Sequence, residues 1–235
     1  MDGAVVERLL DLNQAFYGRF ATPFVETRAA PQEGFFKLLD YLPQSAGHLL
    51  DVGCGDGRFG RFSLAHDLAA DYTGLDFSAD MLQAARSQTT GGTFIQRDMS
   101  QADCLAGLGS YALISCLATM QHIPGWVNRL RLMQEMAAHL APNGRIVLSN
   151  WQFLDSDRQR RKITPWSKAG LLDEDVEEND YLLTWQRGGK GYRYVAFIDS
   201  AETEKLSETA GLRCLAQFRS DGREGDLNLY TILSV

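Results

Sequence analysis

Two periods of apolar and polar residues succeed each other along this chain, and each change of period marks an element. Val5, Val6, Leu9, Leu10, Leu12, Phe16, Tyr17 and Phe20 recur at helical spacing with a broad apolar face. Thr22-Pro23 is expected to interrupt that helix, because proline offers no amide to the ladder. A second helix is predicted from Pro31, at its first turn, through Leu42, and residues 43–47 turn into the first strand. Apolar runs at 49–52, 72–76, 93–96, 111–117 and 145–151 read as strands. Between them, helices are predicted over 58–68, from about Ser78, over 101–105 and over 125–140, with Pro142-Asn143-Gly144 as a turn. Ser78 followed by Asp80 suits an N-cap with an acidic first turn. The regularity breaks near Gln152. Residues 181–185 and 192–197 then read as a hairpin around Gly188-Gly189-Lys190-Gly191. A helix over 200–210 ends at Gly211, and strands at 212–218 and 227–235 close the chain.

Strands alternating with helices across short turns imply a parallel sheet covered on both faces. Right-handed crossovers put the carboxyl ends of those strands on one edge, where ligands bind. Composition agrees with such a core: 45% of the 235 residues are hydrophobic. The net charge of −7 argues against a broad nucleic-acid-binding surface. Arg158, Arg160, Arg161 and Lys162, with Arg187, Lys190 and Arg193, supply the one local basic patch that could serve as one. Cys54, Cys104, Cys116 and Cys214 form no CxxC pair, so reduced thiols and no metal site are expected. No apolar run reaches membrane length and the N-terminus lacks a basic flank, which places the protein in the cytoplasm.

The chemistry concentrates at Leu49 to Phe59. A buried strand runs into alternating glycines, and a helix then begins, so bare amides face a ligand at a helix N-terminus. Two registers are open. Gly55-x-Gly57-x-x-Gly60, with Asp76 roughly twenty residues on, matches the dinucleotide fingerprint. Gly53-x-Gly55-x-Gly57 instead places its first glycine directly after the strand, with Asp51 inside it. The other strand ends favour the second register. Asp76 is suited to accept two hydrogen bonds from a ribose diol. Asp98 and Met99 suit an exocyclic amine and a purine face, and Leu117 with Ala118 ends the fourth strand. The array suits an adenosine carrying a charged amino-acid tail.

On these stretches, together with Gly74-Leu75-Asp76-Phe77-Ser78, Arg97-Asp98-Met99 and Tyr111 to Pro124, the chain resembles the class I S-adenosylmethionine-dependent methyltransferases. The resemblance implies an α/β, Rossmann-like sheet of seven mostly parallel strands whose last strand is antiparallel. It implies S-adenosyl-L-methionine as cofactor. Asp51, Gly53, Cys54, Gly55 and Gly57 would hold the methionine portion, Asp76 the ribose, Phe77, Met81, Met99 and Leu117 the adenine surroundings, and Asp98 the adenine amine. One domain is expected over 1–235: a helical lid at 1–46, a cofactor-binding half at 47–151, an insertion at 152–198 and a closing unit at 199–235.

His122 lies where the methyl acceptor belongs and is the candidate catalytic residue, as a base, an orienting group or packing for the cofactor. Tyr17, Trp151, Arg193 and Tyr194 are candidate substrate residues. Phe16-Tyr17, Thr27-Arg28, Trp151, the Arg158–Lys162 run and Arg193-Tyr194 are similar to the tRNA wobble-uridine carboxymethyl methyltransferases. That resemblance implies a carboxylate acceptor, a place for Arg28 beside the cofactor's or substrate's carboxylate, and a small activator protein, for which no docking feature stands out. A small-molecule carboxylate, hydroxyl or amine is the other acceptor class. The rival functions are a nicotinamide-dependent oxidoreductase built on Gly55, Gly57 and Gly60, and a non-catalytic S-adenosylmethionine-binding partner subunit.

Overall fold

The computed structural model describes residues 1–26, 30–42, 47–186 and 188–235. Its strands are β1 (His48–Val52), β2 (Asp71–Asp76), β3 (Thr93–Gln96), β4 (Tyr111–Leu117), β5 (Leu140–Trp151), β6 (Ile163–Thr164), β7 (Asp180–Trp185), β8 (Gly191–Ala196), β9 (Arg213–Ser220) and β10 (Asn228–Ser234). Its α-helices are α1 (Gly3–Glu26), α2 (Glu33–Leu38), α3 (Arg58–Ala65), α4 (Ala79–Gln88), α5 (Trp126–Ala138), α6 (Asp157–Arg160) and α7 (Ser200–Thr209).

Seven strands form the main sheet in the order β3-β2-β1-β4-β5-β10-β9. All neighbours are parallel except β10, which runs antiparallel to both β5 and β9. The chain reverses its direction of travel across the sheet between β1 and β4, the place where such sheets open a ligand crevice. Alternate residues of each strand feed opposite layers. Leu50, Ile114, Ile146 and Leu148 pack on one side with Leu132, Met133 and Met136 of α5. Leu49, Leu113, Val147 and Ile232 pack on the other with Phe35 and Leu38 of α2 and Phe59 and Phe62 of α3. Burying both faces explains why the central strands read as continuous apolar runs.

Several expectations need correction. Helix α1 continues past Thr22-Pro23, and its backbone leaves helical geometry at Phe20 instead (φ −113°, ψ 15°). A proline removes one hydrogen bond three to four residues back and bends the helix, which then resumes. The second helix is confined to Glu33–Leu38. Residues 101–105 form turns: the Glu135 carboxylate captures the amides of Asp103 and Leu105, each at 3.0 Å, so no helical ladder forms. Pro142-Asn143-Gly144 is a bulge within β5. Tyr111 pairs with Leu140 and Leu113 with Arg145, and Asn143 absorbs the excess with φ +63°. The insertion carries an unforeseen strand, β6, which makes the hairpin three-stranded in the order β6-β7-β8. No described helix is long and apolar enough to cross a membrane.

Helix α1 lies against β8, an edge of that second sheet. The buried Asn13 side chain completes the edge. Its Oδ1 accepts the Tyr194 amide (2.9 Å), while its Nδ2 donates to the carbonyls of Tyr194 (3.2 Å) and His122 (3.4 Å). One amide side chain thereby bonds backbone groups of two elements, among them the Tyr194 amide at the sheet edge. Asn13→Ala is expected to lower unfolding free energy by about 2 kcal/mol, read as a reduced urea midpoint with an unchanged slope.

Candidate active site

Strand β1 feeds Gly53-Cys54-Gly55-Asp56-Gly57 at the reversal point. Gly53, Gly55 and Gly57 have φ of +77°, +56° and +75°, a region where a side chain is strained. The turn is held down by the Leu75 carbonyl, which accepts the amides of Gly53 and Cys54, both at 2.8 Å. A Cβ on Gly53 would lie 2.2 Å from Thr119 Oγ1, whereas a Cβ on Gly55 would meet nothing within 4 Å, so Gly55 borders open space. Gly60 does different work: inside α3, it lets the helix close on the Tyr72 ring, 2.4 Å from where its Cβ would stand. The left-handed triplet is therefore Gly53, Gly55 and Gly57.

Three strand-end carboxylates face one cavity. Asp51 is buried, and its oxygens accept the Ser115 hydroxyl (2.7 Å) and the Tyr72 hydroxyl (3.0 Å). Asp76 accepts the Gly55 amide on Oδ2 (2.8 Å) and the Ser78 amide on Oδ1 (2.9 Å). Asp98 Oδ1 accepts both the amide (2.9 Å) and the hydroxyl (2.6 Å) of Ser100. Burial pushes the Asp51 carboxyl up to about 6, against the opposing hydrogen bonds from Ser115 and Tyr72. Burial likewise pushes Asp76 up to about 6, against the donors Ser78 and Gly55. The buried Cys54 thiol, beside those two negative charges, is raised far above its ordinary value and stays protonated, so it is no nucleophile.

The cavity brings together Asp51, Gly53, Cys54, Gly55, Asp76, Phe77, Met81, Asp98, Met99 and Leu117 with Tyr17, His122 and Trp151. Gly57 shapes the turn but does not line the space; a Cβ there would press on Ala85 and Thr89 of the following unit. Arg28 and Arg187 lie outside the described residues. Arg193 stands behind Trp151, its Cζ 4.4 Å from the ring centroid, and is not a lining residue. The Tyr194 side chain points away: its hydroxyl donates to Asp180 (2.7 Å), and only its backbone serves the site. Sequence reasoning missed Asn13, Gln14, Gln32, Phe35 and Arg58, all of which line the cavity. Only Arg58 carried a signal, by following the glycine turn directly.

At the far end, His122 Nδ1 lies 3.1 Å from the Tyr194 carbonyl, which can only accept, so Nδ1 carries the proton. In the neutral ring Nε2 is then an acceptor for the Tyr17 hydroxyl at 2.9 Å. Trp151 meets the imidazole edge to face at 5.6 Å, and Tyr17 meets Phe77 at 5.9 Å. Helix α1 is thus tied to the sheet edge across the cavity.

A sequence profile for the methyltransferase domain matches residues 26–217. The chain is 32% identical over 186 residues to a dTDP-3-amino-3,4,6-trideoxy-alpha-D-glucopyranose N,N-dimethyltransferase of Streptomyces venezuelae, covering 72% of this chain and 76% of that protein. It is 32% identical over 165 residues to a trans-aconitate 2-methyltransferase of Paracidovorax citrulli, covering 68% of this chain but 59% of that protein. Thus it spans less than two thirds of that longer relative. Among solved structures, SAM-bound CalS10, an amino pentose methyltransferase of Micromonospora echinaspora, shares the fold at a TM-score of 0.63 and 17% identity, over 91% of this chain and 95% of that one. These matches set aside the nicotinamide reading. The residues present fit S-adenosylmethionine on the structure's own terms: Gly55 leaves room for a ligand backbone, and carboxylates await its hydroxyl, amine and ammonium donors.

Asp76→Ala is expected to weaken S-adenosylhomocysteine binding about 100-fold by calorimetry, the loss of roughly 3 kcal/mol from charge-assisted hydrogen bonds. The pH dependence has a defined sign. Because folding raises the Asp51 and Asp76 pKa values, their contribution to the ligand-free fold is full below about 4 and is lost as pH rises through about 6. Diol binding needs the ionised carboxylate, so the rise in Tm caused by S-adenosylhomocysteine should shrink as pH is lowered from 7 to 5. A Tm increment that does not change over that range would contradict the assignment.

Proposed function

This chain belongs to the S-adenosylmethionine-dependent methyltransferases, and we propose that it methylates an oxygen or nitrogen of a small molecule held under α1 between Tyr17, His122 and Trp151. The observation that carries this reading is the roof. Asn13 and Tyr17 bind α1 down onto the His122 segment, so the space beyond the sheet edge is bounded by aromatic rings rather than left as an open groove. The relatives named for an acid, trans-aconitate, and for a dTDP-linked aminosugar support a small-molecule acceptor.

S-adenosylmethionine supplies an electrophilic methyl group on a sulfonium. The protein has to hold acceptor and donor in line and keep water out. On this reading Asp51 holds the ammonium of the amino-acid tail, Gly55 leaves space for that tail, Asp76 holds the ribose diol and Asp98 the adenine amine, with Phe77, Met81, Met99 and Leu117 as the apolar walls. For a hydroxyl or ammonium acceptor, His122 Nε2 is the group that can take the proton, through or in place of the Tyr17 hydroxyl. A carboxylate arrives ionised and needs no base, which leaves the Tyr17–His122 pair to orient it.

The tRNA wobble-uridine reading has less support. Arg158 and Arg160 on α6 are exposed, and Arg160 is already paired with Asp157. No feature of the described residues marks a site for an activator protein. Radiolabelled S-adenosylmethionine added to a cell extract with this protein should place label in the small-molecule pool and resist nuclease. Nuclease-sensitive label would overturn the small-acceptor reading. His122→Asn is expected to lower kcat about 100-fold for a hydroxyl or amine acceptor and less than about tenfold for a carboxylate, with S-adenosylhomocysteine affinity retained.

A further inference from the structure

Two arginines among the described residues are almost completely buried, and they are treated oppositely. Arg129, 2% exposed, is neutralised by Glu177 (3.0 Å) and Glu202 (2.9 Å). Arg193, 5% exposed, makes no ion pair among the described residues, and its Nε and Nη1 have no hydrogen-bond partner there. Its guanidinium is packed among three aromatic rings: Trp151 at 4.4 Å, Phe16 at 5.3 Å and Trp185 at 5.7 Å. Tyr17 is its polar neighbour. Tyr17 and Trp151 both line the cavity, so Arg193 lies directly behind the acceptor end. Cation–π contact offsets part of the burial of a charge, but unused N–H donors in a dry site remain costly.

The neighbourhood adds charge of the same sign. Lys162, just before β6, is half-buried, and the exposed Arg158 stands on α6. Burial and the positive charges of Arg193 and Arg158 together hold the Lys162 ammonium below its ordinary range. The three cations therefore grade from surface to interior. Unneutralised cations gathered around a buried, fork-shaped donor with two unused N–H groups are the complement that an anion needs.

We propose that Arg193, with Lys162 and Arg158 outboard of it, receives an anionic group of the methyl acceptor, a carboxylate or a phosphate, in the aromatic box formed by Phe16, Trp151 and Trp185. The inference rests on the reading of Tyr17, His122 and Trp151 as the acceptor end. It narrows the acceptor to an organic anion. A buried guanidinium suits a small diffusible anion rather than a polymer backbone, whose phosphates would stop at Arg158 and Lys162.

The test uses the full chain, with citrate and inorganic phosphate as probes and S-adenosylhomocysteine as the control ligand. Citrate should raise Tm and change tryptophan fluorescence saturably, with half-saturation at or below about 1 mM. Phosphate should do the same if a single tetrahedral anion is enough, and only citrate should if a carboxylate is read. Arg193→Met keeps the stem but removes the fork. It should leave the Tm without added ligand unchanged or raised, because an unpaired buried charge has gone, and weaken the citrate response more than about tenfold. Lys162→Met should weaken it about threefold and flatten its dependence on salt. The S-adenosylhomocysteine increment should persist in both variants. A lowered Tm for Arg193→Met with an undiminished citrate response would make the guanidinium structural and overturn the proposal. So would a wild-type protein indifferent to both anions, or micromolar binding of a single-stranded RNA that depends on Lys162 but not on Arg193. If Arg193→Met fails to fold, Arg193→Lys decides: it keeps charge without the fork and should still lose about tenfold in citrate affinity. Methyl transfer to an uncharged acceptor without anion binding would sink this inference alone, whereas anion binding without any transfer would sink the proposed function alone.

Discussion

The Asp76 carboxylate is the joint on which the cofactor end depends. It grips the Gly55 amide of the first strand-to-helix turn and the Ser78 amide of the second at once. The two turns come from different strands, and the neighbouring Leu75 carbonyl adds a second link by accepting the Gly53 and Cys54 amides. With the carboxylate between them, the left-handed glycine turn and the start of α4 keep a constant spacing, and each Asp76 oxygen retains a lone pair for a ligand hydroxyl. Burial makes the arrangement costly, which is why the carboxyl sits near 6 rather than near 4. A group strained in this way gains most when donors arrive, so the cost is recovered on binding.

The end of the cavity under α1, the proposed acceptor end, is built on a different constraint, the unpaired edge of a small sheet. Strand β8 leaves Tyr194 with an amide and a carbonyl to satisfy. Asn13 answers both, and His122 shares the carbonyl. That one backbone position fixes the helix that roofs the cavity and the tautomer of the histidine beneath it. The insertion after β5 therefore acts through its backbone as much as through its side chains.

The strand-end carboxylates and the buried cations lie on different sides of the cavity, Arg58 beside the glycine turn being the exception. Asp51, Asp76 and Asp98 stand at the sheet edge, where the positively charged donor belongs, and Arg193 with Lys162 stands behind the opposite wall. Such a potential suits the proposed pairing of a cationic donor at one end with an anionic acceptor at the other. It also separates the two chemistries inside a chain of net charge −7, whose overall sign conceals the local basic cluster.

The alternating half of the fold is legible from residues alone, because apolar runs punctuated by glycine, proline and capping serine report local backbone geometry. Asp51, Asp76 and Asp98 are legible for a further reason: parallel topology carries every strand end to one edge, so position in the pattern becomes position in space. The continuation of α1 past Pro23, the bulge at Asn143 and the loss of a helix at 101–105 are not legible. Each turns on a long-range contact or a tolerated distortion, as when Glu135 takes the amides of Asp103 and Leu105. Arg193 and Tyr194 show the limit most sharply. Adjacent residues in a strand point to opposite faces, so naming both as substrate residues leaves open which one faces the site. Packing places Arg193 among the aromatic rings and turns Tyr194 toward Asp180, and Asn13 becomes a site residue only because β8 lies beside it. Sequence periodicity sets the glycine-turn end of the cavity; register and edge pairing, which depend on residues 181 positions apart, set the end under α1 where the acceptor is proposed to lie.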